Sequence, residues 1–179
     1  AQMRQELGDD GRLRWFIGDV RDRARLKRAM EGCNLVVHAA ALKRIEVGHY
    51  NPIEMCKTNI DGAINVIEAA RDAGFSATPS LRKVIMLSSD KAWQPCSPYG
   101  YSKAMAEALF LAANGSPGRF GPLFSITRYG NVWNSAGSVL PRWRGLMAAG
   151  EPIPVTDPNC TRFFMLMQEA VDLVWTTLQ

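Results

Sequence analysis

The chain has two histidines, His38 and His49, and four cysteines, Cys33, Cys56, Cys96 and Cys160, scattered with no CxxC pair. That leaves too few clustered ligands for a metal centre, so none is expected. No apolar run approaches the roughly 18 to 20 residues needed to span a bilayer, and the opening AQMRQELGDDGR lacks the apolar region of a signal peptide. A cytosolic protein with no membrane span in this segment is expected. There is no internal repeat and no low-complexity tract. With 47% hydrophobic and 21% charged residues in 179, the chain has the composition of one globular domain with a full core, which argues against disorder. The net charge of +4 and pI near 9.0 suit an anionic partner, either nucleic acid or a phosphorylated small molecule. The basic stretch 21 to 28 also carries Asp22 and has no interleaved aromatics, so it reads as a solvated helix face and not a nucleic-acid surface.

Hydrophobic patterning alternates strands with helices. Leu13 to Ile17 is a short strand candidate, followed by GDVRD and RDRARLKRAMEG, which has helical spacing at Leu26 and Met30 and stops at Gly32. Leu35-Val36-Val37 opens a second strand running into His38-Ala39-Ala40-Ala41. Asn51-Pro52 begins a helical region whose apolar stripe (Cys56, Ile60, Ala63, Ile64, Ile67, Ala70) ends near Gly74. The link SATPS leads into a strand over 83 to 88, and Ser97-Pro98 is an N-cap and first-turn pair for a helix from Tyr99 to Asn114. A strand over Leu123 to Thr127 and helices over Ser138 to Ala149 and Gln168 to Leu178 complete the pattern. This order predicts an α/β fold, a doubly wound parallel sheet with helices on both faces. The pattern weakens in EPIPVTDPNC, which marks a boundary near residue 150 between a first part (1–150) and the start of a substrate-binding part (151–179).

The chemistry concentrates in SSDKAWQPCSPYGYSK, residues 88 to 103, directly after the apolar run VIML. The carboxyl end of a buried parallel strand is where an open α/β sheet presents its reactive groups. Tyr99 and Lys103, four apart on a helix, share a face. A fixed cation beside the phenol favours the phenolate and brings it towards use at neutral pH. Either Ser88 or Ser89 stands where its hydroxyl could bond the same substrate oxygen, completing a Ser-Tyr-Lys set. Read in isolation, YxxxK is a solvated helix face and Asp90-Lys91 a surface ion pair.

Together with HAAALKRIEVGHYNPIEMCKTNIDGAINVIEAA, TRYGNV and TRF, this segment resembles the extended short-chain dehydrogenases/reductases, and among them the inverting UDP-N-acetylglucosamine 4,6-dehydratases of the CapD-like polysaccharide-biosynthesis group. The similarity runs from RWFIGDVRD to TRFFM. It implies a Rossmann-like fold, an NADP cofactor with NAD as the variant, a UDP-sugar substrate, and a homo-oligomer when full length. In that family the C4 hydroxyl is oxidised, the C5 proton is removed, water leaves from C6 and hydride returns to C6. The resemblance implies catalysis by Ser89, Asp90, Lys91, Tyr99 and Lys103. It places Asp19, Val20, Ala39, Ala40, Ala41, Asn59, Tyr99 and Lys103 about the cofactor, with Asn59 behind the active site, and Lys43, Asn131 and Arg162 at the sugar nucleotide. The chemistry agrees: a 4-ketone acidifies C5, an amine can take that proton, and a carboxylic acid can protonate the departing C6 oxygen. Lys91 must then be neutral and Asp90 protonated, and burial against sugar and cofactor pushes both that way. A guanidinium at 162 can pair two diphosphate oxygens. Ala39 to Ala41 read equally as close helix packing, and Asp19 as a helix N-cap.

The family's Gly-rich GxxGxxG turn has no counterpart here. GSPGRFG repeats the glycine spacing but follows a helix and contains Pro117, so it reads as a loop. The resemblance therefore implies an internal piece of a longer protein, without the first βα unit and most of the substrate lobe. Such a piece, lacking the strand between strands 2 and 4, is expected to be unstable or aggregation-prone alone and to bind NADP poorly. Two alternatives stay open: a sugar-nucleotide epimerase of the same superfamily, which has no need of Asp90-Lys91, and a non-catalytic dinucleotide-binding protein, which gains nothing from the five polar groups.

Overall fold

The structure, a computed structural model, describes residues 2–8, 10–74, 80–115, 121–135 and 138–179. The link SATPS and the loop GSPGRFG fall largely outside the described residues. In chain order the elements are α1 (Gln2–Leu7), α2 (Arg23–Met30), β1 (Leu35–His38), α3 (Ile45–Tyr50), α4 (Pro52–Cys56), α5 (Gly62–Gly74), β2 (Lys83–Ser89), α6 (Pro98–Ala113), β3 (Leu123–Tyr129), β4 (Asn131–Val132), α7 (Val139–Ala148), β5 (Phe164–Met165) and α8 (Met167–Leu178). A π-helical turn, Lys57–Asp61, joins α4 to α5, and a 3₁₀ turn, Asp90–Ala92, follows β2.

Strands β1, β2 and β3 pair in that order, all parallel, with Val36 opposite Val84 and Ile85 opposite Ser125. The central strand is fully buried at Val84, Ile85 and Met86. Side chains alternate across it: Val84 and Met86 join a core with Val66, Ala70, Ala106, Phe110 and Phe124 beneath α5 and α6. On the opposite face Thr127 hydrogen-bonds Thr177 of α8. Burying side chains of this size contributes about 1.5–3 kcal/mol each. The parallel sheet covered on both faces is the predicted class. No helix among the described residues is long and apolar enough to cross a membrane.

The predicted strand Leu13–Ile17 does not form: the segment is unpaired, and Ile17 is 92% exposed. A strand exists only against a partner's backbone, and no described residue supplies one there. Instead Arg25 Nε binds the Ile17 carbonyl at 2.7 Å and its guanidinium lies 4.9 Å over the Phe16 ring. Not predicted were α1, α3, the π turn, the 3₁₀ turn, and the short parallel pair β4–β5, which tethers Phe164 beside Asn131. Residues 150–160 form no regular element, in keeping with the weakened pattern there.

Candidate active site

Local stereochemistry sets the frame. Ser89 ends β2 and caps the 3₁₀ turn, its Oγ accepting from Lys91 N at 3.2 Å. Ser97 accepts from Gly100 N and Pro98 fills the first turn, so α6 starts where the Ser-Pro pair predicts. A Cβ on Gly100 would lie 2.5 Å from the Lys91 carbonyl oxygen and 3.0 Å from Pro95 Cβ. Glycine there lets the Asp90–Ala92 turn lie against α6.

Three segments bring Ser89, Asp90, Lys91, Tyr99 and Asn131 together. Lys91 Nζ donates to Asp90 Oδ1 at 2.9 Å and to Asn131 Oδ1 at 2.8 Å, and Ser89 Oγ donates to Asp90 Oδ1 at 2.9 Å. Burial alone would raise Asp90, but hydrogen bonds from Lys91 and Ser89 outweigh it and hold the carboxyl below its usual value. Asp90 is thus an ionised partner of Lys91 in this arrangement, and the protonated acid of the sequence reading belongs to the site closed over sugar and cofactor. The reason is proximity: nothing separates the carboxylate from the ammonium.

The expectation from spacing is corrected at Tyr99. Its phenol is raised above its usual value, chiefly by burial; the Ser89 hydroxyl opposes this, while Tyr129 and Asp90 reinforce it. Lys103 does not lower it. The Lys103 ammonium turns inward, 3% exposed, and donates to the Leu87 carbonyl at 2.7 Å. Burial brings it down to about 8, against the attraction of Glu107. Behind it, His38 stacks on Phe110 at 6.1 Å and is pushed down to about 4, first by burial and then by the Lys103 charge.

The choice between the two serines is decided by the alternation of the strand. Ser88 points under α6 and donates to Glu107, whose carboxylate also takes Arg128 in a bidentate pair, Nε at 3.0 Å. Ser89 faces Asp90 and Tyr99. The Ser88–Glu107–Arg128 network was missed, although Glu107 lies four residues beyond Lys103 and the same one-face rule reaches it.

Asn59 sits in the π turn, 2% exposed, and its amide is fully committed. Oδ1 accepts from Leu42 N at 2.8 Å, and Nδ2 donates to Leu42 O at 3.0 Å and Ser102 Oγ at 2.9 Å. It clamps the loop after β1 to α6 from behind and leaves no free amide hydrogen for a cofactor. Val20, Ala39 and Ala40 line a cleft of about 300 Å³ with Val36, His38 and Val66. Ala39 and Ala40 are exposed at the strand end and Ala41 is half-buried, so the small residues do not serve close helix packing there. Asp19 is not a helix cap; Asp22 is, accepting from Arg25 N at 3.0 Å. The Asp19 carboxylate is held by Arg21, which lowers it to about 2, and Arg21 also reaches Glu54 at 3.1 Å. Lys43 and Arg162 are exposed and are not drawn into the Lys91 cluster. Arg162 nevertheless lies next to Phe163, whose carbonyl takes the Asn131 N–H at 2.8 Å.

A family model described as "Polysaccharide biosynthesis protein" matches residues 1–179. A curated relative, "UDP-N-acetylglucosamine 4,6-dehydratase (inverting)" of Campylobacter jejuni subsp. jejuni, is 45% identical over 168 residues, 93% of this chain and 48% of the relative. A "UDP-glucose 4-epimerase" of Rickettsia akari is 39% identical over 163 residues, 91% of this chain and 46% of the relative. Among solved structures, Pen from Bacillus thuringiensis superposes with TM-score 0.91 at 36% identity, covering 98% of this chain and 54% of that one. The chain spans about half the length of the curated relatives it matches.

Proposed function

The chain belongs to the polysaccharide biosynthesis protein family, and from that premise we propose that it supplies the acid–base groups of a sugar-nucleotide 4,6-dehydratase. The substrate of this reading is UDP-N-acetylglucosamine, the C5 centre is inverted, and NADP or NAD is the hydride carrier. The observation that carries it is Asp90 and Lys91 at 2.9 Å beside the Tyr99 phenol. An epimerase has no use for that pair, whereas an elimination needs both members.

The residues near the strand end fit a dinucleotide on the side described: exposed Ala39 and Ala40 open the cleft that Val20 lines. A nicotinamide held there would supply the hydride acceptor for C4 and the hydride donor for C6. Tyr99 takes the proton of the C4 hydroxyl, with Ser89 fixing the same oxygen. Its raised phenol makes the deprotonated form scarce at neutral pH, so the phenolate requires a cationic cofactor or Lys103 turned towards it. Lys91 then removes the C5 proton and Asp90 protonates the departing C6 oxygen, which leaves as water. The ion pair Asp90⁻–Lys91⁺ and the neutral pair that the elimination needs hold the same number of protons. One transfer along the existing hydrogen bond interconverts them, and excluding water favours the neutral form. Elimination regenerates the ion pair. C5 is reprotonated on the opposite face from solvent as hydride is returned to C6, which balances the proton that Tyr99 gives back to solvent, and the Asp90–Lys91 pair keeps its proton count.

Arg162 and Lys43, both exposed, are proposed to bind the diphosphate and sugar, and the protein is proposed to act in the cytoplasm as a homo-oligomer. The test uses the full-length protein with UDP-N-acetylglucosamine in D₂O, followed by NMR. A 4-keto-6-deoxy product carrying deuterium at C5 is expected. Lys91→Ala should abolish C5 exchange, and exchange at the wild-type rate would overturn the base assignment. The relative named as an epimerase supports a second reading, in which Tyr99 and Lys103 alone act and the sugar returns epimerised at C4 with C6 intact.

A further inference from the structure

Resting on the dehydratase reading, we propose that Asn131 is a positioning residue for Lys91, aiming the amine at the substrate carbon, and not solely a contact to the sugar nucleotide. An ammonium directs three N–H bonds tetrahedrally. Two of the Lys91 directions are taken, one by Asp90 Oδ1 at 2.9 Å and one by Asn131 Oδ1 at 2.8 Å. That leaves a third direction, and the side chains of Lys91 and Asp90 remain 35% and 30% exposed, so the amine is open to a substrate. A long, flexible lysine held by a single acceptor would sweep a cone; held by two it presents one direction, and once its proton has passed to Asp90, rotation about Cε–Nζ that returns two N–H bonds to the same acceptors turns the lone pair along that direction to meet the C5 proton.

Asn131 is itself fixed by its backbone. Its N–H binds Phe163 O at 2.8 Å, and β4 pairs in parallel with β5. A Cβ on Gly130 would meet Phe163 O at 2.7 Å, so glycine is what allows the two strands to close. The amide oxygen is therefore anchored from the far side of the site, forty residues away in sequence from the lysine it holds. The other titratable groups about the pair are Asp90 on the same turn, Tyr99 on α6 and Tyr129 at the end of β3.

The experiment compares the full-length wild type with Asn131→Ala and Asn131→Asp, each checked for folding by circular dichroism and thermal melting. For Asn131→Ala, kcat for C5 exchange should fall by at least about tenfold with KM for the UDP-sugar changed by less than about threefold, while formation of reduced cofactor in a single turnover persists. Asn131→Asp keeps the acceptor and adds a negative charge that holds Lys91 protonated, so its pH–rate profile for C5 exchange should move to higher pH. A raised KM with unchanged kcat for the alanine variant, or a wild-type pH profile for the aspartate variant, would overturn the proposal. A readout independent of turnover separates it from the parent reading: acylation of Lys91 by an amine-reactive ester, mapped by mass spectrometry. Wild type without C5 exchange refutes the dehydratase, yet Lys91 should still acylate at least about threefold faster in Asn131→Ala. Unchanged acylation refutes the positioning role whatever the activity.

Discussion

Replacing Lys103 by methionine should make the protein more stable at neutral pH while removing a group proposed for catalysis. The ammonium is 3% exposed, and its pKa falls from the ordinary 10.5 to about 8. A depression of that size corresponds to a penalty of about 3 kcal/mol for keeping the charge at pH 7. Against this, methionine leaves the Leu87 carbonyl without its donor, at about 1–2 kcal/mol. The net expectation is a variant more stable by about 1–2 kcal/mol at pH 7. The sign follows from linkage. Between about 8 and 10.5 the unfolded chain binds this proton and the folded chain releases it, so wild-type stability from this group rises with pH across that window. Below it the penalty is present in full. The methionine variant has no such term, and its advantage should vanish, then reverse, by about pH 10. Urea unfolding of the full-length, cofactor-free protein at pH 7 and pH 10 measures both gaps. A variant less stable at pH 7, or a gap independent of pH, would refute the claim that the fold holds a costly buried charge here. The exchange of stability for activity is the usual one at functional sites.

Other outcomes can be checked with the same full-length protein. His38, neutral in the fold down to about pH 4 against an ordinary 6.5, should lower stability by up to about 3 kcal/mol as pH falls through that window; His38→Phe, retaining the stack on Phe110, should flatten the acid limb in a series of unfolding curves. Asn59→Leu strands the Leu42 N–H and carbonyl, and should cost about 2–4 kcal/mol, lowering the melting temperature in calorimetry by about 3–6 °C; a shift under about 1 °C would mean the clamp is replaceable by water. Gly100→Ala forces a methyl against the Lys91 carbonyl, and should slow C5 exchange by at least about tenfold with C4 oxidation less affected, at a stability cost of about 1–3 kcal/mol; equal loss of both steps would show a global and not a local displacement.

Much of the frame was legible from near neighbours. Ser97-Pro98 capped and started α6 as read, the VIML run became the buried central strand, and the apolar stripe through Ile67 and Ala70 became the core face of α5. These features follow from φ restriction, capping and periodicity, which residues within a turn or two decide. The sequence also assembled Ser89, Asp90, Lys91 and Tyr99 within a dozen positions, so their convergence needed only one strand end and one helix start. Tertiary structure decided what local rules cannot reach. Leu13–Ile17 carries a strand pattern but no described partner, and a ladder is a property of two segments. Lys103 stands four residues from Tyr99, yet its ammonium is drawn to the Leu87 carbonyl, so the phenol rises where spacing said it would fall. Asn131 meets Lys91 only because β4 closes on β5. Periodicity tells a side chain which face to occupy; which charge it meets there, and hence its protonation, depends on the register in which distant strands close, and distance-dependent electrostatics has no counterpart in a one-dimensional pattern.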